Sequence, residues 1–365
     1  MDNRRFVSNI LHICDYTAPY RGNFIDSLES IEKYHENIKN YYLFPRRACD
    51  NPDTLKWINE LNCGDTVAYI QKERILENAW LLLHIIKTHN ICRIIRHFSD
   101  IRVDVLVKSL FKGKNVTRFF HSRLAISKSP VKHFFRKLLW NKNELVGVSD
   151  SVSEELREAF PGFSVTSIVN AINFDRLDVI EPFQRSEKIC LMMMGWDHGT
   201  KGVDLAIKAC EKLRNKYEFV LRIVSGRNAD PIREVIKSIL GEMVEWIEIL
   251  PPNNNVGTYY ATSDIFMSPS RHEAFGYANI EAAYCENSII LTKVGGQSQL
   301  LIEGAYWVEP NNVDDLADKI EVAINELNKP ERIAQRAQVK EQVQRIYSLK
   351  EWSNQVVDLI FKNRY

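Results

Sequence analysis

The chain of 365 residues has no uninterrupted apolar run long enough to span a bilayer, so no membrane-crossing helix is expected. Its seven cysteines, at positions 14, 49, 63, 92, 190, 210 and 285, are odd in number and never spaced as C-x-x-C. That spacing argues against a disulfide framework and against a zinc site, and it fits a reducing cytosol. The N-terminal MDNRRFVSNIL holds too short an apolar run for a signal peptide, and a cytoplasmic location is expected. The G-x-G-x-x-G fingerprint of dinucleotide binding is missing. Net charge is also nearly missing, at +1, but it is uneven. Residues 1–150 carry 24 Lys and Arg against 16 Asp and Glu, and the remainder carries 24 against 31. A basic first half suits an anionic partner such as a membrane surface or a lipid phosphate. No nucleic-acid recognition motif accompanies it, so nucleic acid is not expected as a partner.

What is present is an alternation of short apolar runs and amphipathic segments. Residues 9–15 (NILHICD) read as a buried strand. A loop with Gly22 follows, then a helix with Phe24, Ile25, Leu28 and Ile31 on one face. Residues 41–44, 65–69, 93–97 and 115–121 read as further strands, with helical segments between them, notably 76–87. This order predicts a parallel sheet. Residues 128–142 (KSPVKHFFRKLLWNK) interleave Lys132, Arg136 and Lys137 with Phe134, Phe135, Leu138, Leu139 and Trp140. Such a basic amphipathic helix suits either a membrane interface or a domain surface with its apolar face in the core. Residues 145–149 read as a strand whose Ser149, or Asp150 after it, is placed to cap the next helix. A polar stretch, 174–188, reads as a linker, and runs at 190–195, 219–225 and 244–250 begin a second sheet. The length suits two domains, drawn at 1–175 and 186–346.

The most informative stretch is 264–296, DIFMSPSRHEAFGYANIEAAYCENSIILTKVGG. Ile265, Phe266 and Met267 form a buried strand that Ser268, Pro269 and Ser270 end. Glu273 and Glu281 follow with seven residues between them, among which Gly276 precedes a helical pattern. A second buried strand, 288–292, runs into Gly295 and Gly296. The loop therefore lies at the carboxyl end of a strand, where open α/β sheets bind ligands. Backbone N–H groups of Ala274, Phe275, Gly276 and Tyr277 would open at the helix N-terminus, an environment that attracts phosphate. A carboxylate beside it suits neighbouring hydroxyls, from which it accepts two hydrogen bonds. Phosphates with vicinal hydroxyls describe a nucleotide sugar. The plainer alternative is a surface helix with two solvated acids.

PSRHEAFGYANIEA resembles the E-x7-E signature of the family-four retaining glycosyltransferases. The resemblance implies a GT-B fold of the α/β class: two Rossmann-like domains with parallel sheets facing across a cleft, and a C-terminal helix, 347–365, crossing back to the first. By position, the Glu that contacts the donor sugar falls on Glu273, and the Glu that contacts the ribose hydroxyls falls on Glu281. GWDHGTKG at 195–202 resembles the G-R-x4-K-G whose Arg and Lys clamp the diphosphate. Lys201 matches, whereas Trp196 stands in place of the Arg, and Arg227 and Arg271 are the candidates to substitute for it. The first-loop Gly that approaches donor phosphate and acceptor maps to Gly22. The cleft His maps to His121, with His97 second. The turn at 250–253, with Leu250 and Pro251, is where the resemblance places the base. One departure is the turn Asn170-Ala171-Ile172-Asn173, with Ala where the family has Gly.

The resemblance thus implies transfer of a sugar from a nucleotide-diphosphate sugar, UDP-sugar favoured over GDP-sugar, to an acceptor hydroxyl with retention. The acceptor expected is a lipid-linked saccharide at the inner membrane leaflet, in envelope or exopolysaccharide assembly. No D-x-D pair occupies a strand-end loop, so no metal and no further cofactor are expected. Three rivals stand beside this reading: a non-catalytic GT-B-fold subunit, favoured by Trp196; a soluble enzyme acting on a free glycan, protein or small molecule; and a nucleotide-sugar epimerase of the same fold.

Overall fold

Every strand pairing among the described residues is parallel, so each strand needs a crossover before the next, and helices supply most of these crossovers. The structure, a computed structural model, describes residues 8–61, 67–70, 74–98, 101–110, 116–122, 130–141, 143–178, 187–253 and 255–362. Parts of the predicted elements, residues 65–66, 115, 128–129 and 142 and linker residues 179–186, lie outside these. The chain divides into two units, Met1–Ala171 with Leu349–Tyr365, and Ile172–Ser348.

The first unit holds strands β1 (Ser8–Cys14), β2 (Ile38–Pro45), β3 (Val67–Ile70), β4 (Ile91–His97), β5 (Val116–Phe120), β6 (Glu144–Gly147) and β7 (Ser164–Ser167). Their order in the sheet is β3-β2-β1-β4-β5-β6-β7, so the winding reverses between β1 and β4. The helices are α1 (Gly22–Tyr34), α2 (Pro52–Asn59), α3 (Ile75–Thr88), α4 (Ile101–Leu110), α5 (Pro130–Trp140) and α6 (Asp150–Ala159), joined by α14 (Leu349–Phe361) from the chain's end. Both sheet faces are covered, which is why the strands are apolar runs rather than alternating ones. Ile10, Tyr42, Phe44 and Ile95 pack under Phe24, Ile25 and Leu28 of α1 and under Trp352, Val356 and Ile360 of α14. On the opposite face Leu11, Ile13, Leu43 and Ile94 meet Leu82 and Ile85 of α3 and Val103 and Val107 of α4. Ser149 caps α6, its side-chain oxygen accepting from the Val152 N–H.

The expected single apolar face of α5 is split. Leu139 and Trp140 are buried, whereas Phe134, Phe135 and Leu138 are exposed. The physical reason is the Trp140 indole, whose N–H donates to the buried Asp104 carboxylate at 2.8 Å. Asp104 also pairs with Arg96 and Arg118, at 3.2 and 2.7 Å. Once Trp140 is anchored there, the helical repeat turns Phe134, Phe135 and Leu138 away from the core.

The second unit holds β8 (Ile189–Met194), β9 (Phe219–Val224), β10 (Ile247–Leu250), β11 (Ile265–Ser268), β12 (Ser288–Thr292) and β13 (Tyr306–Val308). Its helices are α7 (His198–Lys201), α8 (Val203–Leu213), α9 (Asp230–Leu240), α10 (Gly257–Ala261), α11 (Tyr277–Tyr284), α12 (Val313–Glu326) and α13 (Pro330–Ile346). The strand order is β10-β9-β8-β11-β12-β13, with the reversal between β8 and β11. Leu191, Leu221, Ile265 and Ile290 form the centre of its core, closed by Val203, Ala206 and Ile207 of α8 and Ile320 of α12.

Candidate active site

The reversal of strand order in the second sheet opens a crevice at the carboxyl ends of β8 and β11. The loop leaving β8 carries Trp196 and Lys201, and the loop leaving β11 carries Arg271 and Glu273. The two loops are tied together by backbone. The Arg271 N–H donates to the Thr200 carbonyl at 2.8 Å. Gly202, at φ +70°, lies so close that a Cβ there would overlap the Pro269 carbonyl oxygen. Only glycine satisfies both conditions without strain.

On this brace Lys201 Nζ donates to Glu273 Oε2 at 2.5 Å, both side chains being about 15% exposed. Sequence reasoning assigned these two residues separately, and the structure brings them together. The Lys201 ammonium also lies 5.3 Å from the centre of the exposed Trp196 ring, a cation–π distance. Trp196 therefore supports Lys201 rather than contributing a second cation. Arg271, one candidate to replace the missing Arg, is engaged elsewhere. Its guanidinium donates two parallel hydrogen bonds to Asp204, both 2.8 Å, and a third to the Gly199 carbonyl. The other candidate, Arg227, is exposed in the loop after β9, beside β8.

Glu273 is held from below. The Gly296 N–H donates to its carbonyl at 2.9 Å, and a Cβ on Gly295, at φ +45°, would overlap that same oxygen. The Gly-Gly pair is thus a seat for the Glu273 backbone. Gly276, at φ +97°, caps α11, and the backbone from Ala274 to Tyr277 turns into its first turn. Phe275 is buried, its ring edge-on to Tyr277 and Tyr347. Glu281 lies one turn into α11, buried, and accepts a hydrogen bond from the Tyr260 hydroxyl at 2.9 Å. Burial, then the Glu281 carboxylate, raise the Tyr260 pKa well above the usual phenol range, which keeps that hydroxyl a donor. Leu250 ends β10 and its carbonyl accepts from the Ser225 N–H at 2.8 Å; the Pro251 carbonyl accepts from Tyr259 at 3.1 Å.

Several supports had no sequence signal. Gln297, fully buried, donates to the Ser268 and Thr292 carbonyls at 3.0 and 2.9 Å. Its Oε1 accepts from Ser268 Oγ and Asn279 Nδ2 at 2.9 and 3.0 Å. One amide thereby joins β11, β12 and α11 under the Glu273 loop, and every one of its polar atoms is used. Tyr260 and Asp204 were equally invisible, because their partners are remote in the chain.

In the first unit Gly22 opens α1 at φ +62°, against the Tyr16 and Tyr20 rings. His121 follows β5, half-buried, its ring stacked on Phe98 at 4.6 Å and edge-on to Phe24 at 5.0 Å. His121 Nε2 lies 3.1 Å from His97 Nδ1. Burial lowers its pKa to about 3, so the ring is neutral at ordinary pH. No group of three or more His, Cys, Asp or Glu among the described residues is arranged to hold a metal ion.

Residues 176–340 match the family model of glycosyl transferases group 1. An uncharacterized glycosyltransferase of Methanocaldococcus jannaschii is 24% identical over 319 residues, 84% of this chain and 86% of its own length. The GPI3 subunit of phosphatidylinositol N-acetylglucosaminyltransferase from Saccharomyces cerevisiae is 28% identical over 200 residues, 51% of this chain and 44% of that one. Among solved structures, a glycosyltransferase from Rickettsia africae superposes with a TM-score of 0.82 at 19% identity, covering 98% of both chains. Anabaena HepE in complex with UDP-glucose superposes at 0.75 and 14% identity, covering 97% of this chain and 99% of that one. The two parallel-sheet units are those of the GT-B glycosyltransferase fold.

Proposed function

We propose that this chain is a retaining glycosyltransferase of the E-x7-E type, transferring a sugar from a nucleotide-diphosphate sugar to an acceptor hydroxyl. The observation that carries the reading is the Lys201–Glu273 pair, seated at the strand-order reversal inside the matched segment. A cation and an acid held side by side serve two ends of one glycosyl phosphate. Lys201, the α11 N-terminus and the amides of residues 274–277 neutralise the leaving diphosphate. Glu273 accepts from the donor sugar hydroxyls and stabilises positive charge at the ring. Glu281, oriented by Tyr260, takes the ribose hydroxyls; Leu250 and Pro251 border the base, and Arg227 supplies further positive charge. From the first unit, Gly22 serves donor phosphate and acceptor, and His121 serves sugar or acceptor. The bond from the anomeric carbon to the phosphate oxygen breaks, the acceptor oxygen bonds that carbon on the same face, and the departing phosphate oxygen takes the acceptor proton. This assigns no step to a metal, and activity in EDTA should equal that without it. UDP-sugar is the favoured donor, in line with the UDP-glucose bound to the Anabaena neighbour.

For the acceptor we infer a lipid-linked saccharide at the cytoplasmic membrane face, in envelope or exopolysaccharide assembly. Helix α4 packs beside both α3 and α5, and the three expose Leu76, Trp80, Val105, Phe134, Phe135 and Leu138. They carry six Lys and Arg against two acids, of which Asp104 is buried and Glu77 is paired with Arg74. Exposed apolar rings among basic residues suit an anionic lipid surface. No helix among the described residues is long and apolar enough to cross a membrane.

Incubation with a panel of nucleotide sugars, reading nucleotide diphosphate release and product anomer, tests the proposal. Release from one donor with a retained anomer is expected; no release from any, with nucleotide still bound, would favour the second reading. That reading is a non-catalytic subunit, and the observation behind it is Trp196, whose ring is placed on Lys201 where an Arg would add charge.

A further inference from the structure

The register of the first sheet sets four polar side chains on one diagonal. Asn40 of β2 is level with Ile10 of β1, and His12 lies two residues further along β1. His97 of β4 is level with Cys14, two residues beyond His12. Phe119 of β5 is level with His97, and His121 lies two residues beyond it. Alternation along a strand returns every second residue to the same face. All four therefore lie on the face covered by α1 and α14, each a step nearer the carboxyl edge.

They are hydrogen-bonded in series. His12 Nε2 is 3.1 Å from Asn40 Oδ1, His12 Nδ1 is 3.3 Å from His97 Nε2, and His97 Nδ1 is 3.1 Å from His121 Nε2. Asn40, His12 and His97 are fully buried. Ring nitrogens at these separations bond each other through a proton.

The direction of every proton follows from one end. Asn40 Nδ2 donates to the Leu28 carbonyl at 2.8 Å, and a carbonyl can only accept. The other Asn40 atom is then Oδ1, also an acceptor, so His12 Nε2 must carry the hydrogen. A neutral imidazole has one N–H, so His12 Nδ1 accepts and His97 Nε2 donates. The same step makes His97 Nδ1 an acceptor and His121 Nε2 a donor. His121 Nδ1 is left with its lone pair, and among the described residues it has no hydrogen-bond partner.

Neutrality, on which this depends, has a physical cause. Phe24 is edge-on to His97 at 5.1 Å, and Tyr42 stacks on His12 at 5.3 Å. Burial lowers the His12 pKa to about 4, and burial with the neighbouring His121, His12 and Arg96 holds His97 well below the usual imidazole range. Phe98, between His97 and the loop, is held at φ +60°, a conformation costly for a bulky residue that stacks its ring on His121.

We propose that Asn40, His12 and His97 are positioning residues that fix His121 as the Nε2–H tautomer, so that its Nδ1 accepts a hydrogen bond from a substrate hydroxyl. The assignment of the hydroxyl rests on the glycosyltransferase reading; the tautomer does not. A reversed tautomer would present a donor at the same point, and a sugar hydroxyl aligned to donate would be left unpaired.

Two-bond proton–nitrogen NMR on histidine-labelled full chain at neutral pH reads the tautomer directly. His121 is expected with a protonated Nε2 and a bare Nδ1, and a protonated Nδ1 would overturn the proposal. In the His97→Phe variant, which keeps a flat ring in the core, His121 should become a mixture of tautomers. Turnover should then fall about tenfold, the size of one lost hydrogen bond. His97→Gln offers an N–H to His12 and a carbonyl to His121, and it should restore the single tautomer and most of the turnover. An unchanged tautomer in His97→Phe, or a Gln variant no better than Phe, would show His97 to be packing alone. His12→Phe should act in the same direction more weakly. If the native tautomer is as expected but no nucleotide sugar turns over, the transfer reading fails and the lock stands.

Discussion

The two units follow one plan and differ in what stands at the strand ends. Each is a parallel sheet whose order reverses beside its first strand. At the second unit's reversal the loops carry charge, Lys201 against Glu273, and the bracing comes from backbone and glycine with the buried Gln297 amide beneath them. At the first unit's reversal the sheet carries neutral imidazoles, and the bracing comes from the side chains themselves, passed inward from His121 to Asn40. The difference follows from the cost of burial. An ion pair needs either solvent nearby, as the Lys201–Glu273 pair has on its loops, or many donors, as the buried Asp104 has from Arg96, Arg118 and Trp140. A neutral polar row can run through a core, provided that each member is satisfied by the next. The family match falls inside the second unit, the one whose site is built on loops.

If the division is functional, substitutions in the charged site should have the largest effect. Glu273→Gln should lower transfer at least about a hundredfold, the scale of one transition-state charge interaction, while nucleotide diphosphate affinity by calorimetry stays close to native. Lys201→Ala should lower both, because the leaving group gains charge. Glu281→Ala should cost nucleotide binding about 2–3 kcal/mol, for hydrogen bonds to a charged group. A Glu273→Gln variant as active as the native chain would remove the comparison's second half.

The first unit should be the one sensitive to acid. His12 has a pKa of about 4 when folded against 6.5 when unfolded, and His121 and His97 are lowered as well. Between those values the unfolded chain binds protons that the folded one refuses. The stability they contribute is therefore full above pH 6.5 and is lost as pH falls from 6.5 toward 4. His12 alone accounts for a loss on the order of 3 kcal/mol. The second unit has no buried histidine among the described residues. Denaturant unfolding across this range should show the first unit's transition moving earlier, and His12→Phe should flatten the dependence. Equal sensitivity of both units would contradict the assignment.

The glycines allow a smaller test. Gly202 in the second unit and Gly162 in the first both have positive φ, but a Cβ at Gly162 would meet nothing within 4 Å. Gly162→Ala should cost only the left-handed backbone term, about 1–2 kcal/mol. Gly202→Ala adds overlap with Pro269, and should cost more in melting experiments and also disturb the Lys201–Glu273 pair. Equal losses would mean that the loop gives way freely.

These contrasts also show what was legible from sequence. Alternating apolar runs gave both sheets, because strands buried on two faces are continuous in the chain. Glu273, Lys201 and Glu281 stood out because loop and helix residues of one motif are near in sequence. The Lys201–Glu273 contact did not, since 72 residues separate the two. The histidine row was hidden for a related reason. His121 and His97 stood out separately, as first and second candidates for the cleft His, and His12 looked like one polar residue on an apolar strand; only strand order and register turn the three into a line. The split of the α5 face, with Trp140 in the core and Phe134, Phe135 and Leu138 outside it, was not legible because the Trp140 partner, Asp104, lies on another helix.

A small stability effect should also come from the exposed face of α5 in the first unit. Phe134, Phe135 and Leu138 are 65%, 47% and 53% exposed, while Trp140 on the same helix is 1% exposed. Replacing the three by Ser removes side chains that are about half exposed, so each change should lower unfolding free energy by about 1 kcal/mol or less, a fraction of what full burial of such a side chain contributes. Trp140→Ala, by contrast, should cost about 3–5 kcal/mol through the cavity it leaves. Side chains that stabilise the fold so little are available to a surface outside it. Lys87, Lys108 and Lys137 are exposed on the same three helices, and basic groups at an anionic surface contribute about 1 kcal/mol each. The native chain should therefore sediment with anionic vesicles at low salt and release as salt shortens the range of attraction. The triple Ser variant, still folded by circular dichroism, should stay in the supernatant. If it sediments equally well, or if the native chain never does, the face is not a membrane surface, and a water-soluble acceptor becomes the better reading of what the first unit serves.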